Sequence, residues 1–221
     1  MGPDSHDIHP PRTSATASSL ASTLLTILSQ AHERVMIGIC GAPGAGKSTL
    51  AAAIATELGP DIVTVVPFDG FHLATSVIAG TPLQSRRGAV DTFDTGSYRA
   101  LVRRLRVRDE DVVFAPSFDR RIEESIASSI AIPRRIPLIL TEGNYLLADE
   151  PNLRATRAML DAVWYLDTPP EVRLPQLVAR HVAFGKPRME AAAWAAGTDQ
   201  RNAEMVERTR SLADLIITME P

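Results

Sequence analysis

Gly41-Ala42-Pro43-Gly44-Ala45-Gly46-Lys47-Ser48 fits G-x-x-x-x-G-K-[ST] at every fixed position. The loop lies between an apolar run, Val35–Cys40, and an alanine-rich segment that opens at Thr49. This is the setting of a phosphate-binding loop between a buried strand and a helix. Glycines let backbone N–H groups converge on an anion, and the start of the helix adds positive potential. Lys47 is expected to reach the β- and γ-phosphates of a nucleoside triphosphate, and the Ser48 hydroxyl to ligate Mg²⁺. The expected cofactors are therefore ATP and Mg²⁺, held by Gly41 to Ser48 with Thr49 beside them.

Lys47 gains weight from its background. The chain has 21 arginines and only two lysines, Lys47 and Lys186. A compact ammonium fits between phosphates where a planar guanidinium would not, so a lysine at this place has a chemical reason. The same scarcity excludes the Asn-Lys-x-Asp pattern of guanine-selective GTPases, which favours ATP.

Phosphoryl transfer also needs a second support for the metal and a group that accepts the acceptor's proton. Asp69 follows an apolar run in Pro67-Phe68-Asp69-Gly70-Phe71-His72, and Glu142 ends another in Leu138-Ile139-Leu140-Thr141-Glu142-Gly143. Both runs are expected to flank the phosphate loop, which brings both carboxylates to the ligand edge. We assign Asp69 as general base and Glu142 as metal-shell carboxylate. Their roles are interchangeable at this stage, and Asp69 also counts among the metal-ligand candidates. His72, beside Phe71, reads as a packed or substrate-contacting ring, with a role as a competing base the lesser alternative.

The elements that must position these residues follow from periodicity. Val35–Cys40, Ile62–Val66, Leu138–Thr141, Ala162–Leu166 and Leu215–Thr218 have the look of buried parallel strands. Helices are expected over Ser48–Leu58, Ser97–Val107, Pro151–Leu160, Pro170–Ala183 and Gln200–Leu212. Alternation of this kind implies a parallel sheet covered on both faces. An insertion of about 73–135 separates the second run from the third. It holds expected strands at Asp111–Ala115 and near Ser128–Ile132, punctuated by Pro116 and Pro133. It sits beyond the carboxyl end of a strand, where open α/β sheets bind ligands, and is the expected acceptor side.

At 221 residues with 45% hydrophobic and 22% charged residues, the chain suits one well-buried domain over 18–221. Residues 1–17, rich in Ser, Thr, Pro and His, read as a disordered arm. Leu20–Leu28 reads as an amphipathic helix leading into the first strand rather than a signal-peptide core. No apolar run reaches membrane length. The net charge of −3 gives no reason to expect nucleic acid or an anionic membrane. Arg103, Arg104, Arg106 and Arg108 near a helix end complement its dipole and are expected to face water. The single cysteine, Cys40, points to a reducing cytoplasm. A homodimer is left open.

With Pro-Phe-Asp-Gly-Phe-His-Leu and Glu-Gly-Asn-Tyr-Leu-Leu in place after the phosphate loop, the chain resembles the phosphoribulokinase/uridine kinase/pantothenate kinase superfamily. Within it, the bacterial nucleoside/nucleotide kinase-like or fructose-transport-system kinase branch is most similar, over about residues 20–219. The resemblance implies a P-loop NTPase three-layer sandwich, a five-stranded parallel sheet of order 2-3-1-4-5 with an inserted hairpin and a helical lid over about 170–198. It implies Asp69 as catalytic base, in agreement with the reading above. Asp91, Phe93 and Asp94 in the stretch from Gly88 would line the acceptor pocket, although Asp94 suits a helix cap equally well. Pro116-Ser117-Phe118-Asp119-Arg120-Arg121 resembles in part the segment that holds the nucleoside in uridine kinases, which makes Asp119 and Arg120 substrate candidates and leaves the acceptor unnamed. Arg173 and Arg180 match the first and last arginines of the lid pattern, whose charges close over the phosphates; Gln176 stands where many uridine kinases carry another. Asn202, in Asp199-Gln200-Arg201-Asn202-Ala203, is a candidate for contact with nucleotide or lid.

The expected activity is transfer of the γ-phosphoryl group of ATP to a hydroxyl of a small metabolite: a sugar, nucleoside or pantothenate-like acceptor. A P-loop NTPase that acts as a nucleotide-dependent switch or regulator is the alternative.

Overall fold

The computed structural model describes residues 9–220. Its strands are β1 (Arg12–Ala15), β2 (Val35–Cys40), β3 (Val63–Pro67), β4 (Val112–Asp119), β5 (Glu124–Pro133), β6 (Leu138–Gly143), β7 (Ala162–Leu166) and β8 (Leu215–Met219). The α-helices are α1 (Ala17–Gln30), α2 (Lys47–Leu58), α3 (Thr75–Ile78), α4 (Thr95–Val107), α5 (Pro151–Arg157), α6 (Pro170–Ala183), α7 (Arg188–Trp194) and α8 (Gln200–Glu207). Short 3-10 turns punctuate the chain, among them Phe68–Phe71, and a π-helical turn, Ala195–Asp199, joins α7 to α8.

Six strands form one parallel sheet in the order β1-β8-β7-β2-β6-β3. Every residue of β2 and of β6 is buried, as expected of central strands with helices on both faces. Successive side chains of a strand point to opposite faces, and β2 divides accordingly. Met36 and Cys40 pack with Tyr98, Leu105 and Val206 on one side, and Ile37 and Ile39 with Leu24, Leu50 and Ile54 on the other.

The sheet corrects the expected five-stranded order 2-3-1-4-5. That order describes only the five strands from β3 to β8, and β1 adds a sixth beside β8, with Arg12 opposite Ile216 and Ala15 opposite Met219. β1 reads Arg-Thr-Ser-Ala and buries only its last residue, so no apolar run betrays it. Backbone hydrogen bonds to β8 hold it. The expected disordered arm therefore gives way to a strand at Arg12–Ala15, and α1 starts at Ala17 behind a Thr16/Ser19 capping box. Residues 1–8 of that arm lie outside the described residues.

The flanking of the phosphate loop also needs correction. Only β6 borders β2 on that side; β3 lies one strand further out. In the insertion, β4 and β5 pair as an antiparallel hairpin, and β4 runs on through Pro116 to Asp119. The proline sits in a register shift between Ala115 and Ser117 rather than ending the strand, a place where its missing N–H is tolerated. Buried Arg34 fastens this insertion to the sheet: it donates to the carbonyls of Ile136, Leu105, Pro133 and Arg134. Arg106, expected to face water, instead donates to the carbonyls of Arg34 and Met159. The helix expected over Gln200–Leu212 ends at Glu207, with a 3-10 turn at Arg210–Leu212. No helix among the described residues is long and apolar enough to cross a membrane.

Candidate active site

Strand register sets the site. Glu142 stands opposite Ile39 of β2 and opposite Pro67 of β3, and Gly143 stands opposite Cys40. The carboxyl ends of the three strands are therefore level, and the phosphate loop, Glu142 and the Phe68-Asp69 turn all leave the sheet at one edge. The turn lies hard against β6: a Cβ on Gly143 would come within 2.5 Å of Phe68 Cβ.

In the loop, Gly44 and Gly46 adopt φ of 80° and 91°, which only glycine takes without strain. Gly44 is also pressed beneath α6, where an added Cβ would lie 2.5 Å from Leu177 Cγ and 2.9 Å from the Arg173 carbonyl oxygen. Gly46 caps α2 with no side chain to satisfy its first amides, which leaves donors for a phosphate. Lys47 is 7% exposed; its Nζ donates to Ala42 O at 3.1 Å and Asn144 Oδ1 at 2.6 Å. Burial pulls its pKa down, against the nearby charges of Glu142 and Asp69. Ser48 Oγ donates to Glu142 Oε1 at 3.0 Å. Thr49 is exposed on the following turn.

The two carboxylates are driven apart in proton affinity. Burial raises Glu142, and the charge of Asp69 raises it further, with Lys47 and the Ser48 hydroxyl working the other way. Burial would raise Asp69 too, but His72, Arg120, Lys47 and Arg180 outweigh it and hold it below the usual carboxylate range. Carboxylates in environments that separate them this way are suited to separate roles.

The hairpin brings Arg120 to Asp69, with Nη2 2.5 Å from Oδ2. Gly70 makes this possible, because a Cβ there would sit 2.5 Å from the Pro116 carbonyl oxygen. His72 lies between Phe93 and Phe118, its ring centroid 4.0 and 4.7 Å from theirs. Its Nδ1 is 2.8 Å from the Asp69 carbonyl oxygen, which can only accept, so Nδ1 carries the proton. Burial lowers the His72 pKa, and the Asp69 carboxylate and carbonyl oppose that shift. Asp91 and Asp119 are not brought to this place. Asp91 is paired with exposed Arg86, and Asp119 folds back onto Arg121 at 2.7 Å. Asp94 caps α4 through Ser97 N.

Helices α6 to α8 form the opposite wall. Arg173 is fully buried and braces the loop, donating to Gln200 Oε1 at 2.6 Å and lying 3.5 Å from the Pro43 carbonyl oxygen. Arg180 reaches the cavity itself, where burial lowers its pKa and Asp69, Asp199 and Glu142 oppose that shift. His181 Nε2 meets Asp199 Oδ2 at 2.7 Å, and Lys186 Nζ lies 4.8 Å from the centre of the Trp194 ring. Asn202 Nδ2 and Tyr145 OH both donate to the Gly88 carbonyl, at 3.4 and 2.7 Å, which joins α8, the segment after β6 and the insertion at one atom.

A cavity of about 370 Å³ results. Lys47, Ser48, Glu142 and Asn144 line it from the loop side, His72, Phe93 and Arg120 with Asp69 from the insertion side, and Arg180, Asp199 and Asn202 from the helices. Sequence reasoning does not single out Asn144, Asp199, His181 or Trp194 as site residues; the Asn of Glu-Gly-Asn-Tyr and the Asp that opens Asp199-Gln200-Arg201-Asn202 are the signals that could have found two of them. The donor set fits ATP–Mg²⁺. A buried ammonium whose direct partners are neutral awaits an anion, and a hydroxyl beside one carboxylate suits Mg²⁺, which keeps waters and phosphate oxygens as its other ligands. No cluster of three or more His, Cys, Asp or Glu side chains that could hold a metal by itself occurs among the described residues.

No known family profile matches the chain. It is 31% identical over 196 residues to a Schizosaccharomyces pombe protein named "putative uridine kinase", across 84% of this chain and 83% of that one. It is 26% identical over 188 residues to the uridine kinase of Clostridium perfringens, across 83% and 86% of the two chains. Among solved structures, the "putative fructose transport system kinase" of Silicibacter sp. TM1040 superposes with a TM-score of 0.81 at 34% identity, across 91% of this chain and 98% of that one. The chain belongs to the uridine kinase-like superfamily of P-loop kinases.

Proposed function

We propose that the chain uses ATP and Mg²⁺ to phosphorylate a hydroxyl group of a small metabolite: a sugar, nucleoside or pantothenate-like acceptor. The observation that carries this reading is one cavity with Lys47 and the Ser48–Glu142 pair on one side and Asp69, held by Arg120, on the other. Bound ATP–Mg²⁺ supplies the phosphoryl group and neutralises charge on its oxygens, with Ser48 and Glu142 holding the metal.

The chain's own groups do the rest. Lys47 and the first amides of α2 orient the β- and γ-phosphates. Asp69, kept ionised by its cationic neighbours, accepts the proton of the acceptor hydroxyl as that oxygen bonds to phosphorus and the β–γ bridging bond breaks. Arg180 spreads transition-state charge from the helical side. His72 Nε2, Asp199 and Asn202 hold further hydroxyl groups of the acceptor, with Phe93 as the apolar floor. In this reading the chain from β1 onward is a single kinase domain, which begins earlier than the expected residue 18; the insertion of about 73–135 is its acceptor side, and 170–198 is the lid, of which Arg173 is the fixed strut.

Replacing Lys47 with Ala tests the site. MgATP binding and acceptor-dependent ADP release should both fall sharply; if neither changes, the triphosphate is not held here.

A further inference from the structure

Asn144 has no role in the chemistry above, yet it makes the shortest contact to the loop lysine. Its Oδ1 lies 2.6 Å from Lys47 Nζ, and its backbone carbonyl accepts from Cys40 Sγ at 3.2 Å. The second contact ties Asn144 to the last residue of β2, where Cys40 and Gly143 are already paired. The side chain thus spans from the end of β6 to the tip of Lys47, on a backbone anchored to the neighbouring strand.

An ammonium has three donors. Two are spent on Ala42 O and Asn144 Oδ1, which are both neutral, and one is left for a phosphate oxygen. Choice of an amide has an electrostatic consequence. An aspartate at the same place would supply an oxygen in nearly the same position and would also cancel much of the ammonium's charge in a buried setting. Asparagine fixes a long, flexible cation without discharging it.

We propose that Asn144 is a positioning residue that holds Lys47 in line with the transferred phosphate while leaving its positive charge intact. This rests on the reading of Lys47 as the phosphate ligand. Two variants separate the two halves of the claim, each assayed in the full chain by MgATP-dependent ADP release with an accepted acceptor. Asn144→Ala removes the tether: turnover at saturating ATP should fall about 10- to 100-fold while the KM for ATP moves less than about threefold. Asn144→Asp keeps the tether and adds charge: turnover should recover towards the native value while the KM for ATP rises about tenfold or more. Both variants retain the backbone contact to Cys40, and melting midpoints report whether the fold persists.

Turnover of Asn144→Ala within about twofold of the native chain overturns the proposal. So does equal impairment of the two variants, or a common fall in melting midpoint that accounts for both, since either assigns Asn144 to packing alone. Loss of activity in Lys47→Ala beside a native-like Asn144→Ala would sink this inference and leave the kinase reading standing. A native-like Lys47→Ala would remove both.

Discussion

Arg120 Nη2 lies 2.5 Å from Asp69 Oδ2, so the inserted hairpin reaches a carboxylate 51 residues earlier in the chain. The pair couples the acceptor side to the group assigned as base. On the proposed reading of Asp69 as base, it also places a cation where the acceptor's hydroxyl would enter, so the acceptor would share Asp69 with Arg120 or displace it.

The pair has a pH consequence. A carboxylate whose pKa is depressed is ionised above that pKa and loses function as pH falls through it. Burial raises the Asp69 pKa, and Arg120 is one of the charges that overcome this. Arg120→Ala should therefore shift the acid limb of the kcat/KM profile for the acceptor to higher pH. An acid limb in the native position would show that Arg120 does not tune the base.

Gly70 tests how the hairpin is seated. A methyl group there meets the Pro116 carbonyl oxygen at 2.5 Å, and a backbone atom in a bulge has little room to yield. Gly70→Ala should lower stability by about 1–3 kcal/mol in urea titration. It should also raise the acceptor KM, because the hairpin carries Arg120. Native stability together with native KM would mean that the hairpin moves freely against the turn.

The two lid-pattern arginines should behave differently. Arg173 is fully buried and its Nε has no hydrogen-bond partner among the described residues, so its removal leaves a gap beneath the phosphate loop. Arg173→Ala is expected to cost about 2–4 kcal/mol of stability. Arg180→Ala should leave the melting midpoint near its native value and lower turnover on the order of 100-fold. The reverse pattern would exchange the two assignments.

Asp199 gives a readout on the acceptor alone. One carboxylate oxygen is held by His181, and the residue lines the cavity on the side of α8. Asp199→Asn should raise the acceptor KM about tenfold with the KM for ATP little changed. A rise confined to ATP would place this wall on the nucleotide side.

Much of the site could be read from the sequence because its parts are local. Gly41–Ser48 is a contiguous pattern, and Asp69 and Glu142 each end an apolar run, so strand ends placed them. What escaped depends on which partner a side chain finds, and residue type does not reveal that. Asp91 and Asp119 suited a polyol pocket by type, but Arg86 and Arg121, close by in the chain, bind them instead. Arg173 and Arg180 look alike in a motif, and only the packing of α6 on Gly44 buries one of them. Asp199 stood at the right place for a helix cap, yet no cap hydrogen bond forms and its carboxylate turns to His181. β1 was hidden for a simpler reason: an edge strand held by backbone bonds needs no apolar signature.

The central claim is that Asp69 accepts the proton of an acceptor hydroxyl in a site that already holds ATP. It is tested most directly by ADP release across sugars, nucleosides and pantothenate-like compounds, measured for the native chain and for Asp69→Asn alongside MgATP affinity. The account predicts acceptor-dependent ADP release by the native chain, its loss in Asp69→Asn by about 100-fold or more, and MgATP affinity within a few-fold in both. Native-like turnover in Asp69→Asn would contradict it.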